Sequence, residues 1–378
     1  MNLNLSKLFL LPSNISPNVI ESNLDNLINT SSVFNNLYLL EEKISPIISF
    51  IENKGVFISS SWMESEISRL NNLFDTSHEL NSLITFLNSK KRKGNSIVDK
   101  ELSHIKKWII PLEMTSNKSA SIFKIQGEWN LYSSYSGRMT AKKMPLTSIP
   151  KSMRKHAITS SSHKELWSID LNQAELRFLA YYANDQFLLN HFITDHDMYS
   201  YIGSLIPPYN RNVKPEYWRN ICKTFLLAWL YGASTNTLIE QLRKKEVYLT
   251  SVDLKLILKK LELKVPKAVH YLNLCSSQNE VQTFFGRVMP LVKMKESTKR
   301  NFALQSSVAT AIKLLMLEAY KLDLDIVHVI HDELWIEVKP SYSNWQELLQ
   351  QNFEKTINSY HNGFPLNNIL KFNQLKGE

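Results

Sequence analysis

At 378 residues the chain can bury a large core shared among two or three subdomains, and no stretch of it reads as long and apolar enough to span a membrane. Two cysteines, Cys222 and Cys275, exclude a disulfide framework or a zinc site of their own and suit buried thiols in a reducing cytoplasm. Forty-four basic against thirty-five acidic residues give a net charge of +9, which favours a polyanionic partner.

Residues 1–36 are rich in Asn, Ser and Leu and suggest no chemistry; Leu8–Leu11 is too short for the apolar part of a signal peptide. A helix is expected from Ser45 to Lys54, with Ser45 as N-cap, Pro46 at the first helical position, Gly55 as the stop, and Ile47, Ile48 and Ile51 as its buried stripe. A second is expected from Ser61, with Glu64 at capping-box spacing and Ile67, Leu70 and Phe74 buried. Lys90, Lys91, Arg92 and Lys93 then form a basic run before Gly94, which reads as a solvated loop or, in a nucleic-acid enzyme, a phosphate contact. From Gln126 to Tyr135 the pattern alternates like a strand and ends in Ser136-Gly137-Arg138. Lys142, Lys143, Pro145 and Pro150 mark irregular structure.

A short apolar strand, His163–Ile169, puts Asp170 at its end, and Glu175 and Arg177 open a helix whose dipole Glu175 complements. Pro207, Pro208 and Pro215 bracket a linker. In the next helix, Glu216 to Tyr231, the residues Arg219, Lys223, Leu227 and Tyr231 recur every fourth position. Such residues lie about 40° apart around the axis and share one face, and Gly232 ends the run. Residues Lys264–Gln282 read as partly helical, Phe284–Arg287 as a turn, and Ser297–Leu322 as a long apolar helix. Last comes a hairpin in which Ile326–Ile330 and Leu334–Val338 flank His331-Asp332-Glu333. Leu334, Ile336 and Val338 alternate with Trp335 and Glu337, as in a strand with one face on a core.

Carboxylates at strand ends are costly unless cations or donors meet them. If the strands of Asp170 and Asp332 lie side by side, the pair can hold Mg²⁺ ions that serve in-line attack at phosphorus. Arg219 and Lys223 would then neutralise a triphosphate, and Tyr231 would cover a base. The chemistry is phosphoryl transfer by positioning and electrostatics.

These residues resemble the family A DNA polymerases. Asp170-Leu-Asn-Gln-Ala-Glu-Leu-Arg177 is similar to the family's motif A, the Arg219 to Gly232 spacing to motif B, and His331-Asp332-Glu333 to motif C. Ser136-Gly137-Arg138 resembles the Thr-Gly-Arg element before motif A. Phe285-Gly286-Arg287, Asn301-x-x-x-Gln305 and Lys313 resemble the stretch between motifs B and C.

The resemblance implies an α+β right-hand architecture with an antiparallel palm sheet, helical fingers and a short helical thumb. The thumb would span residues 37–125, the palm 126–180 and 276–378, and the fingers 181–275, leaving 1–36 without a role. It also implies two Mg²⁺ ions, replaceable by Mn²⁺, on Asp170, Asp332 and the Leu171 carbonyl, with Glu333 supporting the site. Arg219 and Lys223 would grip the incoming phosphates. Gln173, Leu227 and Tyr231 would complete the nucleotide site, and Glu175 would be the gate that crowds a 2′-hydroxyl. Arg138, Asn301 and Gln305 would read the minor groove, His331 would touch the primer end, and Lys90, Lys91, Arg92 and Lys93 would meet the duplex backbone.

Leu227 departs from the family's stacking aromatic, Ala228 from a glycine, Leu171 from a tyrosine and Ser306 from a glycine, and Thr147–Pro150 lacks an asparagine. Weaker rejection of ribonucleotides is therefore expected. The implied partners are primer-template DNA and dNTPs, with no membrane, and the chain is expected to act as a monomer without proofreading. A cytoplasmic, nucleoid-associated location is expected, or a host's cytoplasm if a virus or mobile element carries it. The rival readings are a single-subunit RNA polymerase and an inactive DNA-binding scaffold.

Overall fold

The computed structural model describes residues 32–90, 96–115, 122–131, 134, 136–160, 163–206, 214–290 and 294–375. Helix α1 (Ser32–Lys54) starts well before the expected N-cap at Ser45 and carries Pro46 in its interior. An interior proline forfeits a backbone hydrogen bond and costs about 3 kcal/mol. Burial of Leu37, Leu40 and Ile44 in line with Ile47, Ile48 and Ile51 offsets that cost. The stop at Gly55 is as expected, with φ at +69° and its N–H on the Ile51 carbonyl. The expected boundary after residue 36 falls inside this helix.

Strand β1 (Val56–Ser59) leads to α2 (Ser61–Phe74). The helix lies where it was expected, but the capping box is absent: Ser60 is the cap residue, and the Ser61 hydroxyl turns to Ser59 and His156. Leu70 and Trp62 are buried, whereas Ile67 and Phe74 are only partly covered. Helix α3 (Leu80–Lys90) ends at the first lysine of the basic run; Lys91, Arg92 and Lys93 lie outside the described residues, as do Pro207 and Pro208. Helix α4 (Ser96–His104) continues through a π turn at Ile105–Ile109 into α5 (Ile110–Thr115).

Strand β2 (Ile122–Ile125) pairs with β1. The alternation expected from Gln126 to Tyr135 condenses into β3 (Glu128–Asn130), paired with β4 (Thr140–Lys142). The short helix α6 (Lys151–Arg154) precedes β5 (Ala157–Ile158), which closes a small sheet of order β2-β1-β5.

Strand β6 (Glu165–Leu171) and helix α7 (Ala174–Ala183) come next. A helical block follows: α8 (Gln186–Ile193), α9 (Met198–Leu205), α10 (Pro215–Leu230), α11 (Thr235–Arg243), α12 (Ser251–Lys264) and α13 (Pro266–Ser277). The hairpin β7 (Glu280–Gln282) and β8 (Val288–Pro290) then leads into α14 (Glu296–Lys321). Contrary to expectation, α14 has the length and composition to cross a membrane. Eighty-nine per cent of its most apolar window is buried inside the protein, so it serves as a core helix.

Strands β9 (Asp325–Ile330) and β10 (Glu333–Val338), helix α15 (Trp345–Tyr360) and β11 (Leu370–Gln374) complete the described chain. Four strands form one antiparallel sheet of order β11-β6-β10-β9. Both faces of β10 are covered, not one: Trp335 lies against His328, and Glu337 takes Lys54 at 2.7 Å and the Ser160 hydroxyl at 2.7 Å. A buried carboxylate paired in this way can occupy an interior position that alternation alone assigns to solvent.

Candidate active site

In the sheet, β6 and β10 run antiparallel with Glu333 opposite Asp170, and the Leu171 N–H donates to the Asp332 carbonyl at 3.1 Å. The hairpin tip therefore sits beside the end of β6. Burial, and next the charge of Asp332, push the Asp170 carboxyl up to about 7, while Lys223 and Lys371 pull it down. The two carboxylates thus lie close enough to repel each other, and the nearby lysines leave that repulsion only partly relieved. An all-oxygen donor set of Asp170, Asp332 and the Leu171 carbonyl fits a hard divalent cation that keeps several of its waters. Glu333 is engaged elsewhere: Arg154 holds one oxygen at 2.8 Å and the Trp335 indole N–H the other at 2.7 Å. Among the described residues no cluster of three or more Asp, Glu, His or Cys stands ready for a metal, so the aspartate pair carries that fit.

Pro215 opens α10, and Ile221, Cys222, Phe225, Leu226, Trp229 and Leu230 bury its inner face. This leaves Arg219, Lys223, Leu227 and Tyr231 on the other side, and Gly232 ends the helix with φ at +74°. The Arg219 guanidinium lies 5.0 Å from the Tyr199 ring centre and the Lys223 amine 5.9 Å from it. Arg219 also donates to Asp197 from Nε at 3.0 Å and from Nη2 at 2.7 Å. Asp197 in turn caps α9 by accepting the Ser200 N–H at 2.9 Å. Gln173, in the left-handed region with φ at +54°, accepts the Met198 N–H at 3.1 Å, which fixes the motif A turn against α9. Buried Arg177 ties the same turn to residues 365–368 through the carbonyls of Asn172, Pro365 and Asn368.

Glu175 is buried, and burial together with the Asp332 charge raises its pKa. The Tyr231 hydroxyl donates to it at 3.2 Å and Arg138 approaches at 3.5 Å. Gln305 hydrogen-bonds the same tyrosine hydroxyl. Asn301 is buried, and its Oδ1 has no hydrogen-bond partner among the described residues. Before Arg138, Gly137 has φ at +77°, and a Cβ there would lie 2.8 Å from the Arg287 guanidinium. Arg287 and Lys313 are both buried against Glu41 of α1, at 3.6 and 2.6 Å. His331 sits exposed at the hairpin tip with φ at +54°; partial burial of its ring and the Arg138 charge lower its pKa.

Two clefts border this constellation. One of about 930 Å³ is lined by Lys223, Leu227, Tyr231 and Ser297, among others. The second, of about 650 Å³, is lined by Asn172, Gln173, Asp197, Arg219 and Lys371. Sequence reasoning missed Asp197, Tyr199, Arg154 and Lys371. An Asp followed three residues later by Ser at a helix start was a readable signal for Asp197; the other three are brought in by tertiary packing and strand pairing.

A paired-carboxylate palm faced by a cationic helix is the arrangement of a nucleotidyl-transferring polymerase. Residues 59–371 match the family model described as DNA polymerase family A. The fold is also similar to a solved structure described as the POL domain of Pol1 from M. smegmatis in complex with DNA primer-template and dNTP. That match has a TM-score of 0.70 at 17% identity and covers 95% of this chain and 72% of that one. The right-hand architecture of palm, fingers and thumb is consistent with this likeness. The chain belongs to DNA polymerase family A and is a DNA-directed DNA polymerase.

Proposed function

We propose that this chain extends the 3′ end of a DNA primer on a template strand with deoxynucleotides, using Asp170 and Asp332 as the centre of phosphoryl transfer. The observation that carries this reading is the convergence of those two carboxylates, from strands distant in sequence, within the field of Lys223. Two Mg²⁺ ions on Asp170, Asp332 and the Leu171 carbonyl, or Mn²⁺ in their place, would stabilise the attacking and leaving oxygens.

The chain's own residues do the rest. Lys223 and Arg219 neutralise the phosphates. Glu175, fixed by Tyr231 and Arg138, stands against the sugar's 2′ position. Leu227 offers the base an aliphatic surface, and Gln173 holds the turn beneath the phosphates. Glu333, clamped by Arg154 and Trp335, steadies the hairpin that presents Asp332. Arg138, Asn301 and Gln305 would contact the minor groove, His331 the primer end, and Lys90 with the basic run it opens would meet the duplex backbone. The net charge of +9 and the solved relative's primer-template complex support DNA and dNTPs as partners. On this reading the chain extends primers without proofreading them.

The test is Mg²⁺-dependent extension of a primed template, with Asp332→Asn as control. Extension by the native chain and none by the variant is expected. DNA binding without extension would make the chain a scaffold, and preference for rNTPs would make it an RNA polymerase. Shortening of a mismatched primer would overturn the absence of editing.

A further inference from the structure

Across the palm sheet three side chains stand in one row. Lys371 on β11 is the register partner of Asp170 on β6, and Glu333 on β10 is its partner on the other side. Directly opposed residues in a sheet project from the same face with Cβ atoms about 5 Å apart. Lys371 therefore rises on the face that carries the metal-site aspartate, while its neighbour Phe372 packs beneath the sheet against Trp345, 5.4 Å between ring centres. Among the described residues the Lys371 amine has no hydrogen-bond or ion-pair partner, unlike Lys54, Lys164 and Lys313, each of which holds a carboxylate. It lines the 650 Å³ cleft with Arg219, Asn172 and Gln173. Arg219 enters that cleft with Nε and Nη2 committed to Asp197 and with Nη1 unpartnered among the described residues. The cleft is thus walled by two cations from different subdomains, next to the reacting centre.

We propose that Lys371 is a further phosphate-binding residue of this polymerase, gripping with Arg219 the β- and γ-phosphates of the incoming nucleotide and the pyrophosphate they become. The proposal rests on the polymerase reading above. In the reaction the primer 3′-oxygen forms a bond to the α-phosphorus, which loses its bond to the oxygen bridging it to the β-phosphorus. The electron pair of that broken bond stays on the pyrophosphate, and the 3′-hydroxyl proton passes to water. The leaving group gains negative charge as it departs, and an ammonium group beside it lowers the cost. The bland alternative is a lysine that merely guards an edge strand against pairing with other chains. A second alternative is a cation that only tempers the charge on Asp170.

The experiment uses the full chain and the variants Lys371→Ala, Lys371→Arg and Lys371→Glu. Single-nucleotide insertion and its reversal by inorganic pyrophosphate are measured with primer-template affinity. Lys371→Ala is expected to raise KM for dNTP and for pyrophosphate about tenfold, with primer-template Kd unchanged. Lys371→Arg should restore most of this, and Lys371→Glu should be worse than alanine. Unchanged KM for both ligands would overturn the proposal in favour of edge protection. A loss confined to kcat, and recovered by added Mg²⁺, would overturn it in favour of a role through Asp170. Should the native chain extend no primer, the polymerase reading fails separately, and calorimetry with inorganic pyrophosphate still decides the point. Weaker binding to Lys371→Ala than to the native chain supports the site, and equal or absent binding to both removes it.

Discussion

The Arg219 guanidinium and the Asp197 carboxylate face each other through two hydrogen bonds, 3.0 Å from Nε and 2.7 Å from Nη2. Both side chains are partly exposed, so the pair itself adds at most about 1 kcal/mol to stability. Its consequence is geometric, because Asp197 also caps α9 and so anchors Arg219 to a fixed helix end. Asp197→Asn keeps an oxygen for the cap and loses the charge. It is expected to raise KM for dNTP about three- to tenfold with kcat unchanged and Tm within about 2 °C of native. Steady-state extension kinetics check this, and an unaltered KM removes Asp197 from nucleotide binding.

Asp170 predicts a trade between stability and activity. Its carboxyl is pushed up to about 7, above its unfolded value of 3.8, so the stability it contributes is fully present below 3.8 and lost as pH rises through about 7. Asp170→Asn removes the strained charge. At pH 8 without divalent ions the variant is expected to melt roughly 3–6 °C above the native chain and to lose about a thousandfold or more in extension. Added Mg²⁺ should raise Tm of the native chain and leave the variant's in place, which thermal melts with and without the ion report.

On the proposed reading sugar discrimination rests on Glu175, which is held by Tyr231 at 3.2 Å and by Arg138 at 3.5 Å. Leu227 gives that gate no aromatic ring to work against. Glu175→Ala is expected to improve ribonucleotide insertion relative to deoxynucleotide by about tenfold or more, and Leu227→Phe to reduce it below the native level. Single-turnover insertion of matched rNTP and dNTP pairs measures both, and a native chain that already rejects ribonucleotides strongly would count against the loose gate.

Acid lability has a specific source on β9. His328 is buried between Trp129 and Trp335, 5.5 Å from each ring, and its Nε2–H donates to the Leu146 carbonyl at 2.9 Å. Burial drives its pKa from 6.5 to about 4. The unfolded chain therefore takes up the proton first, and stability falls as pH drops from 6.5 towards 4, by about 3 kcal/mol in all. Glu66, lowered to about 2 although burial opposes it, by hydrogen bonds from His104 and Arg69 and the Arg69 charge, adds a second loss that begins only below 4.5. Urea unfolding at pH 7.5 and 5 should show the first loss in the native chain and a flatter profile in His328→Gln.

What the sequence could and could not disclose follows from the range of each interaction. The face shared by Arg219, Lys223, Leu227 and Tyr231 is local helical geometry and is readable from spacing alone. The meeting of Asp170 and Asp332 depends on β6 and β10 being neighbours, which no local pattern encodes; order and resemblance of motifs carried it. Ser45-Pro46 is a strong local start signal, yet α1 runs through it because Leu37 and Leu40 find a core that only tertiary structure supplies. The same holds for Glu337, buried because Lys54 reaches it from another element. Lys371 looked like any lysine near a chain end until strand register set it opposite Asp170.

Helix α14 is one rod of 26 residues, about 39 Å long. It bears Asn301 and Gln305 near its start, and further along it is locked through Lys313 to Glu41 of α1. Breaking such a buried pair from one side typically costs about 3–5 kcal/mol, so the two helices travel together as a lever. Displacement of either helix is felt at the other, and the stretch that carries Asn301 and Gln305 cannot shift without straining the contact between Lys313 and Glu41.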